Sequence, residues 1–150
     1  EGLPTTKRNV IEKGILKGWL LDLASSRQLD LKPTGNARRG IGGPASPGTS
    51  NFMILPSNIS PKELRNDIKS GLYVTELIGS SVNLITGDYS RGASGFWIID
   101  GEITDPVSEI TIAGNLKEMF INLSAANDLD TTHSMMAPSL RVENMMIAGN

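Results

Sequence analysis

Apolar positions along the chain change period several times, and turn-forming residues mark where they change. The firmest change surrounds Asp100-Gly101, with apolar-rich runs at residues 96–99 and 102–104 on either side. Both central positions of a type I′ turn need positive φ, which Asp and Gly tolerate, so this pair predicts a β-hairpin. Lys13-Gly14 between Val10-Ile11 and Ile15-Leu16 predicts a second hairpin. Thr86-Gly87-Asp88, between residues 82–85 and Tyr89, predicts a third. Residues 107–112 and 139–147 read as two further strands, the latter because Leu140 and Val142 alternate with Arg141 and Glu143.

Two segments carry a helical period instead. Ser60 can accept from the first turn of a helix, with Pro61 at its first position and Glu63 reaching back, a capping box. Leu64, Ile68 and Leu72 then make an apolar stripe, and Gly71 is expected as the left-handed stop. A second helix is expected from about Asn115, with Glu118 three residues on, a core-facing stripe of Leu116, Met119, Phe120 and Leu123, and an end near Asn127 and Asp128. The run 15–23 fits a strand or a buried helix; we read a strand followed by a helical turn near residues 24–29. With Lys17 and Asp22 inside, it is too short and polar to cross a bilayer. The fold class expected is α+β: β-rich, mostly antiparallel sheets with hairpins and two to three short helices. The 16 Gly and 8 Pro, enriched over ordinary domains, fit many strands joined by tight turns.

At 150 residues the chain has the size of one domain, and residues 1–150 are read as one. The formal charge of −2 leaves no cationic excess to displace counterions from a phosphate backbone, which argues against nucleic acid as a partner. The chain has no Cys and a single His, so thiolate sites and His-rich sites are excluded. The first residue is Glu1 rather than Met, from which an absent N-terminal region is expected.

Candidate chemistry is sparse. His133 lies beside Thr131 and Thr132 and reads most simply as a solvated loop residue; no HExxH motif accompanies it. Ser94 lies in Gly-Ala-Ser-Gly without a G-x-S-x-G elbow, and reads as a small residue in a tight strand. The segment TGNARRGIGG, residues 34–43, places Asn36, Arg38 and Arg39 among glycines; it reads either as an anion or peptide-terminus site or as a solvated loop. The densest cluster is GDYSRGASGFW, residues 87–97. There Asp88, Tyr89, Ser90 and Arg91 either line a peptide- or partner-binding groove, or Asp88 and Arg91 form a turn-stabilising ion pair with Phe96 and Trp97 as core. Trp97 is expected to be substantially buried.

The stretches GLYVTELIG (71–79), ITGDYSRGASGFWIIDGEI (85–103) and PVSEITIAGNLKEM (106–119) resemble the TldD/PmbA family, specifically its PmbA (TldE) type. The similarity extends through residues 1–22, 33–40 and 147–150, nearly the whole chain. The resemblance implies a bacterial, cytoplasmic, two-subunit metalloprotease that trims unfolded or modified peptides. In that complex the TldD-type subunit carries an HExxxH helix and zinc, and this chain corresponds to the C-terminal domain of the other subunit. The TldD type also has a metal-binding Cys near its C-terminus; here the chain passes from Asp128 through His133 to Pro138 without one, so no metal ligand carries over. Members have been labelled modulators of DNA gyrase, a label that peptide processing accommodates more easily than DNA contact does. The implied role is a non-catalytic assembly and peptide-binding domain, with a TldD-type subunit and the peptide as partners, no catalytic residue, no cofactor of its own, no membrane association, and a homodimer of the isolated chain as a further expectation. The alternative is a protein that is itself an active metallopeptidase, with its ligands in the absent region.

Overall fold

The computed structural model describes residues 1–149. In chain order the elements are β1 (Ile11–Glu12), β2 (Ile15–Leu16), α1 (Leu23–Leu29), β3 (Ala37–Arg38), β4 (Ser46–Pro47), β5 (Phe52–Met53), α2 (Pro61–Arg65), β6 (Ser70–Val82), β7 (Asp88–Ile99), β8 (Glu102–Asn115), α3 (Leu116–Ile121), β9 (Leu123–Ala125), β10 (Met135–Met136), β11 (Leu140–Val142) and β12 (Met146–Ala148). The expected class, β-rich and mostly antiparallel with three short helices, is what forms. The chain divides into two compact units, one of residues 1–53 with 131–136, the other of residues 54–130 with 137–149.

The first unit is built from short pieces. The β1–β2 hairpin turns at Lys13 and Gly14, both at positive φ as the sequence requires. Helix α1 begins at Asp22, whose carboxylate accepts from the Ser25 N–H at 2.7 Å, and buried Leu21 and Ser26 anchor it. β3 pairs with β4, and β10 runs parallel to β5.

The second unit is organised by one antiparallel sheet in the order β12-β8-β7-β6. Asp100 (φ 47) and Gly101 (φ 82) form the expected turn between β7 and β8. β7 runs regularly, whereas β6 and β8 each slip register against it twice, so every slip inserts an extra residue into a flanking strand. Such bulges bend and twist a sheet, and Glu109 adopts positive φ (58) at one of them. Because β7 is regular, Tyr89, Arg91, Ala93, Gly95 and Trp97 share one face, and Ser90, Gly92, Ser94, Phe96 and Ile98 the other. The first face is the core: Ala93 (1% exposed) lies opposite Ile110 (2%), and Ile112, Leu72, Tyr89, Val107 and Met145 pack around them.

Several sequence expectations need correction. Helix α2 has the predicted capping box but ends at Arg65, and Leu72 and Gly71 belong to β6. A spacing of four suits a helix, but the β-branched and aromatic run from Tyr73 onward pairs with β7, and the sheet outweighs one further helical turn. Gly71 is needed for space rather than for left-handed φ, since a Cβ there would come within 2.9 Å of the Ile68 side chain. Helix α3 starts at Asn115 as expected but stops at Ile121, and its stripe is only partly covered: Leu116 and Met119 are half-buried, while Phe120 is 66% exposed. Leu123 leaves the helix to pair with Val142. The segment 139–147 is two strands, broken at Asn144 (φ 61), of which β11 pairs with β9 and β12 with β8.

Candidate functional site

The seven candidate residues fall in both units. In the first, Asn36 is occupied structurally: its side-chain oxygen accepts from Arg8 Nη2 at 3.0 Å, its N–H donates to the Leu21 carbonyl, and its carbonyl accepts from Gly48. Arg38 and Arg39 are exposed and, with Glu1, Ala37, Pro44 and Ala45, line a shallow depression of about 270 Å³. Arg39 Nε donates to the Gly43 carbonyl at 3.2 Å, so one of its donors serves the loop. The Arg38 stem packs on Gly48, where a Cβ would come within 2.7 Å of it. Both heads remain free for an acceptor, although Glu1 places an acid in the same wall.

In the second unit, Asp88, Tyr89, Ser90 and Arg91 open β7, directly after the turn from β6. That turn is fixed by local hydrogen bonds. The Asn83 side-chain oxygen accepts from the Ile85 and Thr86 N–H groups at 2.9 and 3.2 Å, and Gly87 N–H donates to the Asn83 carbonyl at 2.8 Å. The Asp88 carboxylate accepts from the Thr86 hydroxyl at 2.6 Å, so the ion pair to Arg91 considered from sequence does not form; the two side chains leave β7 on opposite faces. Asn115 ties the turn to the start of α3, donating to the Thr86 carbonyl at 3.1 Å, while Leu116 N–H donates to Gly87. Gly87 is obligatory there, at φ 85, and a Cβ on it would come within 2.9 Å of the Asn115 side chain.

Asp88, Tyr89 and Ser90 line an open depression of about 350 Å³ with Ser81, Val82 and Asn83. These last three went unrecognised as site residues, although Asn83 ahead of Thr86-Gly87 is an Asx-turn signal legible in sequence. Arg91 projects from the core face, half-buried, and its Nη2 donates to the Leu77 carbonyl at 3.2 Å. On the opposite face Phe96 lies across from Tyr73, both partly open to solvent; Trp97, on the core face, is half-buried across from Leu72 rather than deep in the core. His133 is exposed in the first unit. Among the described residues no three His, Cys, Asp or Glu side chains converge as a metal-ligand set, so the donors present do not fit a zinc site. No helix among them is long and apolar enough to cross a membrane.

Comparison with known proteins covers the same extent. The PmbA/TldA metallopeptidase C-terminal domain family matches residues 1–149. The Metalloprotease PmbA of Escherichia coli O157:H7 is 45% identical over 150 residues, which are 99% of this chain and 31% of that protein. The crystal structure of TldE from Thermococcus kodakarensis superposes with a TM-score of 0.87 at 30% identity, over 99% of this chain and 35% of that one. A Thermotoga maritima protein described as a candidate modulator of a DNA gyrase gives a TM-score of 0.83 at 35% identity, over 98% of this chain and 34% of that one. The chain thus spans about a third of the length of the relatives it matches. With its described fold and a sequence that matches the family over residues 1–149, the chain belongs to the PmbA/TldD metallopeptidase family and corresponds to that family's C-terminal domain.

Proposed function

We propose that the chain is a non-catalytic assembly and peptide-binding domain of a cytoplasmic TldD/PmbA-type metalloprotease complex that trims unfolded or modified peptides. The observation that carries this reading is the apolar surface of the second unit's sheet, where Tyr73, Val74, Leu77, Ile78 and Phe96 stay open to solvent along β6 and β7. Surface of that kind marks a place where another polypeptide sits. The donor inventory supports the non-catalytic part, because zinc hydrolases use three protein ligands and this chain has one His and no Cys. In the proposed complex zinc belongs to the TldD-type subunit.

A second reading draws on the printed name of the Escherichia coli relative, a metalloprotease about three times as long as this chain. There the metal ligands would lie in the part of the longer protein that this chain does not include. Mixing the chain with a purified TldD-type subunit separates the two readings. Co-elution on size exclusion, with peptide cleavage abolished by removing zinc from the TldD-type subunit alone, is the expected result. Zinc retained stoichiometrically by this chain by itself, with cleavage of unfolded peptides, would overturn the non-catalytic reading.

A further inference from the structure

The three long strands and the turns that join them, residues 70–115, carry six acids, Glu76, Asp88, Asp100, Glu102, Asp105 and Glu109, against one cation, Arg91. Arg91 is turned away from the open face of the sheet: alternation along β7 puts it on the core face, where its Nη2 donates to the Leu77 carbonyl at 3.2 Å. Two of the acids do stand on the open face. Antiparallel partners share a face, so Glu76, across from Ser94, joins the row of Ser90, Gly92, Ser94 and Phe96, and Asp88 begins the same row. Both are exposed, and neither is in an ion pair among the described residues. Asp88 accepts the Thr86 hydroxyl, which leaves its charge in place.

Apolar side chains fill the space between and beyond these carboxylates. Ile78, 55% exposed, leans over Gly92, where a Cβ would lie 3.4 Å from its own. Past Glu76 the row ends in the exposed pair Tyr73 and Phe96. Along β7 the face thus reads carboxylate, aliphatic, carboxylate, aromatic pair. Ser94, which marks the level of Glu76, is six residues from Asp88, so the two acids stand about 20 Å apart at the rise of a strand. An extended peptide has the same rise and the same alternation. Its residues i and i+6 point to one side and span the two carboxylates, while i+2 and i+4 point at Ile78. The charge on this face repels acidic peptides and phosphate backbones and complements a basic one, and such rim charges select and orient a ligand more than they tighten it. We propose that the open face of the sheet binds extended peptides in which two Lys or Arg, six residues apart, flank apolar residues. The cations meet Asp88 and Glu76, and the apolar side chains lie on Ile78. This rests on the peptide-binding reading above and gives it a substrate class.

The test uses the 150-residue chain and short fluorescent peptides with Leu at the two inner alternate positions and a flanking pair of Lys, Gln or Glu six residues apart. Binding is followed by anisotropy at low and at higher salt, alongside the melting temperature of each protein variant. At low salt the Lys peptide should bind about fivefold or more tightly than the Gln peptide, with the Glu peptide weakest, and the gap should narrow as salt rises. Setting the Lys pair five residues apart sends the cations to opposite sides and should remove most of that advantage. Glu76→Gln combined with Asp88→Asn should bring the Lys and Gln peptides to equal affinity without lowering the melting temperature, because an amide at residue 88 still accepts from Thr86. Equal binding of Lys and Gln peptides by the parent would overturn the charge selection and leave peptide binding standing. Absence of binding by every peptide would overturn both. A preference for Lys that survives in the double variant, or that ignores the spacing of the pair, would place the contact elsewhere and defeat the proposal. So would a dimer, seen by light scattering, that no peptide displaces, since a second copy would then be the occupant of this face.

Discussion

A Cβ at residue 95 would stand 1.9 Å from the Tyr73 carbonyl oxygen, so the two strands approach there only because Gly95 has no side chain. The clash is with backbone, which cannot rotate away, and the Val74/Gly95 pair adjoins a bulge that already fixes the path of β6. Gly95→Ala should therefore destabilise by about 3 kcal/mol or more, well beyond an ordinary surface change. A urea melt with an unshifted midpoint would remove the argument. Trp97 makes the contrasting case. Sequence context, Phe96 and Ile98 on either side, reads as a buried aromatic, yet alternation sends Ile98 into a covered site while Trp97 stays half-exposed. Only part of the ring leaves water, so Trp97→Ala should cost about 2 kcal/mol, less than the 3–5 typical of a fully buried aromatic.

At the scale of elements, α2 shows how a helix of five residues persists. At its start the Ser60 hydroxyl accepts from Glu63 N–H, and the Glu63 carboxylate accepts from Ser60 N–H at 2.8 Å. At its end Arg141 of β11 donates to the Leu64 carbonyl at 3.0 Å and pairs with Asp67 and Glu143. Ser60→Ala should cost about 1 kcal/mol in thermal or chemical melts. The acids involved also tie stability to pH. Hydrogen bonds from Ser60 hold the Glu63 carboxyl below its ordinary 4.5, and the hydrogen bond from Arg141 holds Asp67 below 3.8. Hydrogen bonds from Ser139 do the same for Asp128. Groups depressed on folding stabilise fully above their unfolded pKa and lose that contribution as pH falls through the folded value. Stability should thus be flat above about pH 5 on this account and fall as the pH drops below 4, and Asp67→Asn should shrink the fall; an unchanged acid limb would contradict it. The capping box and the Asp100-Gly101 and Lys13-Gly14 turns were legible in sequence because each is local chemistry within four residues. The extent of α2 and α3, and all of β6, were not. Leu64, Ile68 and Leu72 satisfy a helical period, and only pairing with β7, distant in sequence, decides that Leu72 is sheet. The candidate cluster was likewise found by residue type, but not its partition: Asp88 is consumed by its turn, Asn36 by Arg8, and Arg91 by the Leu77 carbonyl on the neighbouring strand, which the order of residues does not reveal.

At the scale of the whole molecule, the balance between buried and exposed apolar side chains is what most shapes behaviour. The sheet of the second unit closes a small core on one face around Ala93 and Ile110, while Tyr73, Phe96 and Ile78 on the other face remain accessible, Ile78 at 55%. Among the described residues β6 is also the last strand of that sheet, so one side of its 13 residues has no strand neighbour there. A long edge beside exposed apolar side chains is a template for pairing, and a two-fold axis lets one surface serve both partners. Gly79, at positive φ within β6, and the bulges near it interrupt the edge and limit how far a second strand can extend along it. Association should consequently be weak and driven by side chains more than by backbone pairing. Light scattering across a wide concentration series should show the 150-residue chain passing from monomer to dimer. Ile78→Lys and Phe96→Lys together should hold it monomeric, because both put like charges at the centre of the contact, whereas Lys at Leu16, an exposed apolar position of the first unit, should change nothing. A strict monomer at every concentration would defeat self-association, and a dimer indifferent to the paired lysines would place the contact elsewhere than on the face that bears Phe96.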